Sequence, residues 1–288
     1  MGASTRREGQ PVRAWVNDFP INDPAGAVLV HDAIEGLTLA DLRRSTGLNM
    51  GSNGGWHTLP KAGTRNIGIP ITIASTDPNE VTAARMALMA ALLKYDGDVT
   101  LRLIKTTGEA YLIYCYVRSA DIPYGPNPLY SRFSLELVAD DPVIYDDTSG
   151  AINTAPLTKS TSGGFVYPFT YPKIYAPGNR GVTVTNNGSI TVYPTITLTG
   201  SGNTPVIVNN TTGEAMTLNV ITSATDTIKI ENRPDGRSVL LNGSNKYDKR
   251  SGSWISLVPG DNVLELTTST SDDTISGVIS WRGGYMSV

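Results

Sequence analysis

The sequence predicts a mainly β protein in two parts, a helix packed on an antiparallel sheet followed by an antiparallel sandwich. Three observations carry that prediction. Strand-like alternation flanks one well-capped helical stretch between residues 64 and 147. From residue 181 onward, short apolar runs recur at about ten-residue spacing, separated by turn residues. Between them lies a stretch rich in Ser, Gly and Pro, the composition of a linker.

In the first region, residues 66–73 alternate apolar with small or polar side chains, as a half-buried strand does. Asp77, Pro78 and Glu80 then form a helix start: an N-cap acceptor, a proline where no N–H is needed, and a capping-box acid. From Val81 to Leu93 the only charge is Arg85. Val81, Ala84, Leu88 and Leu92 make one apolar stripe, with Met86, Met89 and Leu93 beside it, and a face this wide must be covered. Gly97 supplies a stop. Residues 99–105 and 110–118 read as a hairpin around Gly108, and residues 132–137 as a further strand closing in Asp140-Asp141-Pro142. Earlier in the chain, residues 12–17 and 27–31 are short strand candidates, and residues 1–10 a polar lead-in.

Residues 36–63 fit no regular element. Leu37 to Ser45 could form a helical turn, but Gly47, Gly51, Gly54 and Gly55 break any continuation. So long a connection inside a compact domain is usually functional or an assembly arm. Asp41, Arg43, Arg44 and Trp56 are its candidate subunit-contact residues, a free surface loop being the alternative.

Composition narrows the function classes. The chain has 288 residues, 23 basic and 26 acidic, with no basic footprint for nucleic acid. Residues 1–150 hold 13 basic and 17 acidic residues, whereas 151–288 hold 10 and 9, so the second half is thinner in charge. One cysteine, Cys115, sits within an apolar strand and reads as a small buried hydrophobe. No apolar run is long enough to cross a bilayer and no signal peptide opens the chain, so a soluble protein made in a cytoplasm is expected.

Catalytic, metal and cofactor chemistry are not expected. His31 and His57 have no metal-ligand spacing, and no Gly-x-Ser-x-Gly elbow is present. The acidic cluster Asp140, Asp141, Asp146 and Asp147 could serve as paired carboxylates or as calcium ligands, but an Asp-Pro after a strand is more simply a turn. In the second half, Trp254, Trp281 and Tyr247 are the aromatics that could stack a sugar.

Several of these pieces, in their order and spacing, resemble one family. The Arg65-led strand, the capped helix, residues 97–101, the strand from Phe133 and the closing Asp141-Pro142 with Tyr145 are similar to the distal tail (Dit) proteins of long-tailed, non-contractile phages. Asp41, Arg43, Ser45 and Gly54 fall in an order compatible with that family's loop, and residues 239–243 and 257–262 resemble its second domain. The resemblance implies a tail-tube-like β-sandwich with one helix over residues 1–149, a linker over 150–178, and a jelly-roll, carbohydrate-binding-module-like sandwich over 179–288. It further implies a non-enzymatic virion protein at the distal end of the tail, a baseplate component forming a homohexameric ring. Its partners would be the tail tube protein, the tail-associated hub protein, and a receptor-binding protein or host-surface glycan. A carbohydrate-binding β-sandwich protein without catalytic activity is the alternative, and an all-β hydrolase using Asp140 and Asp141 a third reading.

Overall fold

A computed structural model describes residues 11–22, 26–93, 99–123, 125–150, 152–160, 181–233, 236–270 and 272–288. The expected lead-in 1–10, the helix stop at Gly97 and most of the expected linker, 161–178, lie outside the described residues. The chain divides into two compact units: residues 1–150 with 285–288, and residues 151–284.

The first unit contains β1 (Pro11–Val16), β2 (Phe19–Pro20), β3 (Val28–Val30), β4 (Leu42–Arg43), β5 (Thr46–Leu48), β6 (Gly55–His57), β7 (Lys61–Ala62) and β8 (Arg65–Ala74). After helix α1 (Pro78–Leu92) come β9 (Val99–Lys105), β10 (Ala110–Ala120), β11 (Tyr130–Ala139) and β12 (Ile144–Asp146). One antiparallel sheet runs in the order β2-β1-β9-β10-β11-β8-β3, with β12 also on β10. In β8 the period-two pattern turns Arg65, Ile67, Ile69, Ile71 and Ile73 inward. β8 pairs with β11 without interruption from Ala74↔Tyr130 to Arg65↔Ala139. Each of the four fully buried isoleucines contributes about 1.5–3 kcal/mol.

Helix α1 closes this core with Val81, Leu88 and Leu92. Asp77 caps it by accepting the Asn79 N–H at 2.9 Å, as expected. Glu80 does not close a capping box. It takes the Ser75 hydroxyl instead, and Ser75 Oγ accepts the Asp77 N–H at 3.2 Å, so the cap is extended by one relay. Arg85 is buried against the turn after β10, donating to the carbonyls of Ile122 (2.8 Å) and Pro123 (2.7 Å). Cys115 is buried, its Sγ 3.3 Å from the Val99 carbonyl.

The second unit contains β13 (Asn153–Thr158), β14 (Val182–Asn186), β15 (Thr195–Thr199), β16 (Gly202–Asn203), β17 (Val206–Asn209), β18 (Glu214–Leu218) and β19 (Ile221–Thr222). It continues through β20 (Thr227–Glu231), β21 (Ser238–Leu241), β22 (Ser244–Asn245), β23 (Arg250–Gly252), β24 (Gly260–Thr267) and β25 (Ser276–Trp281). The last pair, β26 (Gly284–Tyr285), straddles the unit boundary. Two antiparallel sheets form, β13-β25-β15-β20-β21-β22 and β14-β24-β17-β18-β23. Alternate residues of both, among them Val184, Ile196, Leu198, Ile207, Met216, Ile228 and Leu264, are buried, with more exposed residues between them.

Three expectations need correcting. Residues 153–158, assigned to the linker, form a strand fully paired with β25, because Leu157 is apolar enough to be buried in the sandwich. Residues 253–257, one of the short apolar runs of the second half that read as strands, form no ladder beyond the bridge Val192↔Leu257. Buried asparagines satisfy their carbonyls instead: Asn209 donates to Ser256 (2.7 Å), Asn232 to Ile255 (2.8 Å) and Asn186 to Leu257 (3.0 Å). Finally, residues 285–288 belong to the first unit rather than to the second.

Candidate assembly surfaces

The stretch 36–63 is an arm, and its root is fixed by one side chain. Arg65 is only 1% exposed and makes five hydrogen bonds to four carbonyls: Gly36, Thr38, Pro142 (twice) and Met286. Burial lowers its pKa from the ordinary arginine value, and the nearby Asp141 carboxylate opposes that shift. Gly36 is required here, since a Cβ on it would stand 2.0 Å from the Asn66 carbonyl oxygen, at a φ of +84°.

Beyond the root, the arm is extended rather than helical. β4 pairs with β7 and β5 with β6, giving a hairpin in two short ladders. The Gly63 N–H donates to Asp41 O (2.7 Å), Thr58 N–H to Ser45 O (2.9 Å) and Asn49 N–H to Gly54 O (3.1 Å). Trp56 lies across Gly47, where a Cβ would come within 2.6 Å of the indole. The expected contact residues are therefore all on the arm, with different parts. Asp41 works through its backbone, Arg43 and Arg44 line a groove of about 670 Å³ with Lys61, and Trp56 braces the hairpin while staying half exposed. Leu48 (85% exposed), Met50 and Leu59 (86%) stand in solvent along the same arm. Sequence reasoning did not single these three out, although apolar residues among glycines on a predicted arm were the available signal.

A second apolar surface flanks the helix. Met86 (69% exposed) and Leu93, with Met89, Ala90, Ala120 and Ile122, line a groove of about 540 Å³. The sequence asked for something to cover this face, and the described residues of the chain leave Met86 and Leu93 open.

Three of the four clustered carboxylates are spent on structure, while Asp140 is exposed. Asp141 accepts the Tyr145 hydroxyl (2.5 Å) and the Val143 N–H (3.2 Å), Asp147 pairs with Arg102, and Asp146 accepts the Thr148 N–H (2.9 Å). In the second unit the three candidate stacking aromatics separate. Trp281 is 9% exposed and its indole N–H donates to Thr185 O at 3.1 Å, so it is a core residue with no face for a sugar. Tyr247 and Trp254 do meet, ring centroids 5.8 Å apart at 43°. Their faces are occupied by guanidiniums, Arg250 at 4.5 Å from the Trp254 centroid and Arg237 at 5.3 Å.

Comparisons with known proteins agree with this architecture. Residues 187–285 match the sequence profile of the siphovirus-type tail component, C-terminal domain. Among solved structures the chain is similar to SPP1 Dit, described as a paradigm of the hub adsorption apparatus in phages infecting Gram-positive bacteria. That match has a TM-score of 0.60 at 14% identity and covers 94% of this chain and 98% of that one. It is also similar to chains of the phage p2 baseplate in its activated conformation. The strontium form gives a TM-score of 0.52 at 13% identity, covering 93% and 97%; the calcium form gives 0.53 at 13%, covering 94% of each. No curated protein sequence matches. The class defined is set by the second unit: residues 187–285 carry the C-terminal domain of the siphovirus-type tail component. Over nearly its whole length the chain has the fold of SPP1 Dit.

Proposed function

We propose that six copies of this chain close into a ring through the first unit, joining the tail tube on one face to the hub protein on the other. The carrying observation is the arm: a hairpin rooted on buried Arg65 that holds Leu48, Met50 and Leu59 in solvent, where a lone chain gains nothing from them. An arm that seats on a different surface of the next copy makes a head-to-tail contact, and such contacts close rings when the rotation per copy closes. The task is geometric rather than catalytic, in keeping with Asp141, Asp146 and Asp147 being committed to internal bonds. The second unit projects host-recognition parts or docks them.

Native mass spectrometry of the purified chain tests this. Hexamers are expected, and the triple variant Leu48→Ser, Met50→Ser, Leu59→Ser should be monomeric with an unchanged melting temperature. A wild-type chain that stays monomeric even when mixed with the tail tube and hub proteins, or tail tips imaged without six-fold density for it, would defeat the proposal.

A further inference from the structure

The second unit carries a surface cluster made only of tyrosine, tryptophan and arginine. Arg237 lies over both Tyr193 (5.4 Å to the ring centroid) and Trp254 (5.3 Å), and Arg250 over both Trp254 (4.5 Å) and Tyr247 (5.8 Å). The order is Tyr193–Arg237–Trp254–Arg250–Tyr247, rings and cations alternating. The cluster reaches solvent: Arg237 is exposed and Tyr247 is 47% exposed.

Stacking occupies the flat faces of the guanidiniums and leaves their in-plane N–H edges. Those edges are poorly filled. Among the described residues, Arg237 has no hydrogen bond or ion pair, and the buried Nε of Arg250 has no acceptor, its Nη1 donating to Gly252 O. The acid nearest in sequence to Arg250, Asp248, is taken by Lys249 at 3.3 Å. Arg237 thus presents an open, exposed fork, with the partly filled guanidinium of Arg250 beside it, on a chain whose net charge is −3. Guanidinium edges match carboxylates in bidentate geometry, and holding the side chains by stacking removes much of the ordering cost of binding.

We infer that this cluster is a docking site for an acidic segment of a partner protein, one presenting carboxylates on alternate residues of an extended stretch. Same-face side chains of such a stretch stand about 7 Å apart, so one stretch offers separate carboxylates to the two guanidiniums that meet at Trp254. Tyrosine, tryptophan and arginine are also the residues that dominate binding energy at protein interfaces. A sugar would need an open aromatic face, and guanidiniums lie over the rings here. The site does not depend on ring closure, since all five residues belong to the second unit.

The test is titration of the full chain by calorimetry with a short synthetic peptide carrying glutamate at alternate positions. The same peptide with glutamine, and trigalacturonate as a carboxylated sugar, serve as comparisons. The glutamate peptide should bind, the glutamine peptide should not, and trigalacturonate should bind more weakly. Arg237→Lys keeps the charge at an exposed position and loses the fork, so it should weaken the glutamate peptide about tenfold, whereas Lys249→Gln should leave it within about twofold. The inference is overturned if the glutamate peptide fails to bind, if the glutamine peptide binds equally, or if Arg237→Lys binds like the native chain. Tighter binding of trigalacturonate would assign the site to acidic saccharide and likewise overturn it. A failure of the hexamer with these binding results intact would touch only the ring proposal.

Discussion

The two units hold irregular backbone in place with opposite kinds of side chain. In the first, a single buried cation, Arg65, serves four carbonyls from three separate segments. In the second, asparagines divide the work. Asn186, Asn209 and Asn262 are each essentially fully buried, each donating to backbone carbonyls and accepting a backbone N–H two to four residues away. An arginine fork reaches further than an amide but must be desolvated as a charge, so its removal is an all-or-nothing event. Neutral amides carry less each and fail one at a time. The difference teaches where each unit is brittle.

The largest expected effect follows directly. Arg65→Met should cost at least about 4 kcal/mol, since four buried carbonyls lose their donor together, and the arm root at Gly36 and Thr38 should become protease-sensitive. Urea unfolding with limited proteolysis measures both, and a loss below about 1 kcal/mol would show that the root is held by something else. Next come the amides: Asn209→Leu or Asn262→Leu should each cost about 1–3 kcal/mol. Because Asn209 donates to Asn262 Oδ1 at 3.2 Å, the double variant should fall short of the sum. Strict additivity in calorimetry would break the picture of a shared network. Smaller again is the helix cap, where Asp77→Ala should cost about 1 kcal/mol.

The smallest effect is a pH dependence in the first unit. His31 accepts the Arg132 Nε–H at 2.6 Å and shares a hydrogen bond with Thr72 at 3.0 Å, an arrangement that needs the neutral ring. Desolvation first, and Arg132 second, lower its pKa from the ordinary value, with Asp32 opposing. The unfolded chain therefore takes up the proton before the folded one does. Stability from this group is present above about pH 6.5 and declines as pH falls through the lowered value. The site is largely open to water, so the slope will be shallow. Melting temperatures across that range should show it in the native chain and less of it in His31→Gln.

What the sequence made legible was whatever depends on neighbours along the chain. The alternation of β8, the Asp77-Pro78 start of α1 and the turn chemistry of the second unit all appear where local pattern puts them. Asp141-Pro142 is a turn, and Tyr145, four residues on, completes its hydrogen bonding. What was illegible depends on partners far off in sequence. The arm looked like a helical turn because Leu37 to Ser45 has helical spacing, whereas β4 pairs with residues 61–62. Trp281 was grouped with Trp254 by residue type, and only the fold separates an inward from an outward indole. The two arginines that cover Trp254 carry no motif, since Tyr193, Arg237 and Trp254 are brought together only by tertiary packing.

The last four described residues return to the first unit. Met286 offers its carbonyl to Arg65, Val288 N–H donates to Leu37 O at 3.2 Å, and Tyr285 meets Tyr111 edge-on at 5.9 Å. The second unit is therefore spliced into the first and tethered at both ends, at residues 150/151 and 284/285. Such a module can be exchanged for another without opening a new terminus, and it cannot be shed by one proteolytic cut. Shortening the chain by those four residues would instead loosen the arm's foundation, a fault appearing about as far along the sequence from its cause as this chain permits.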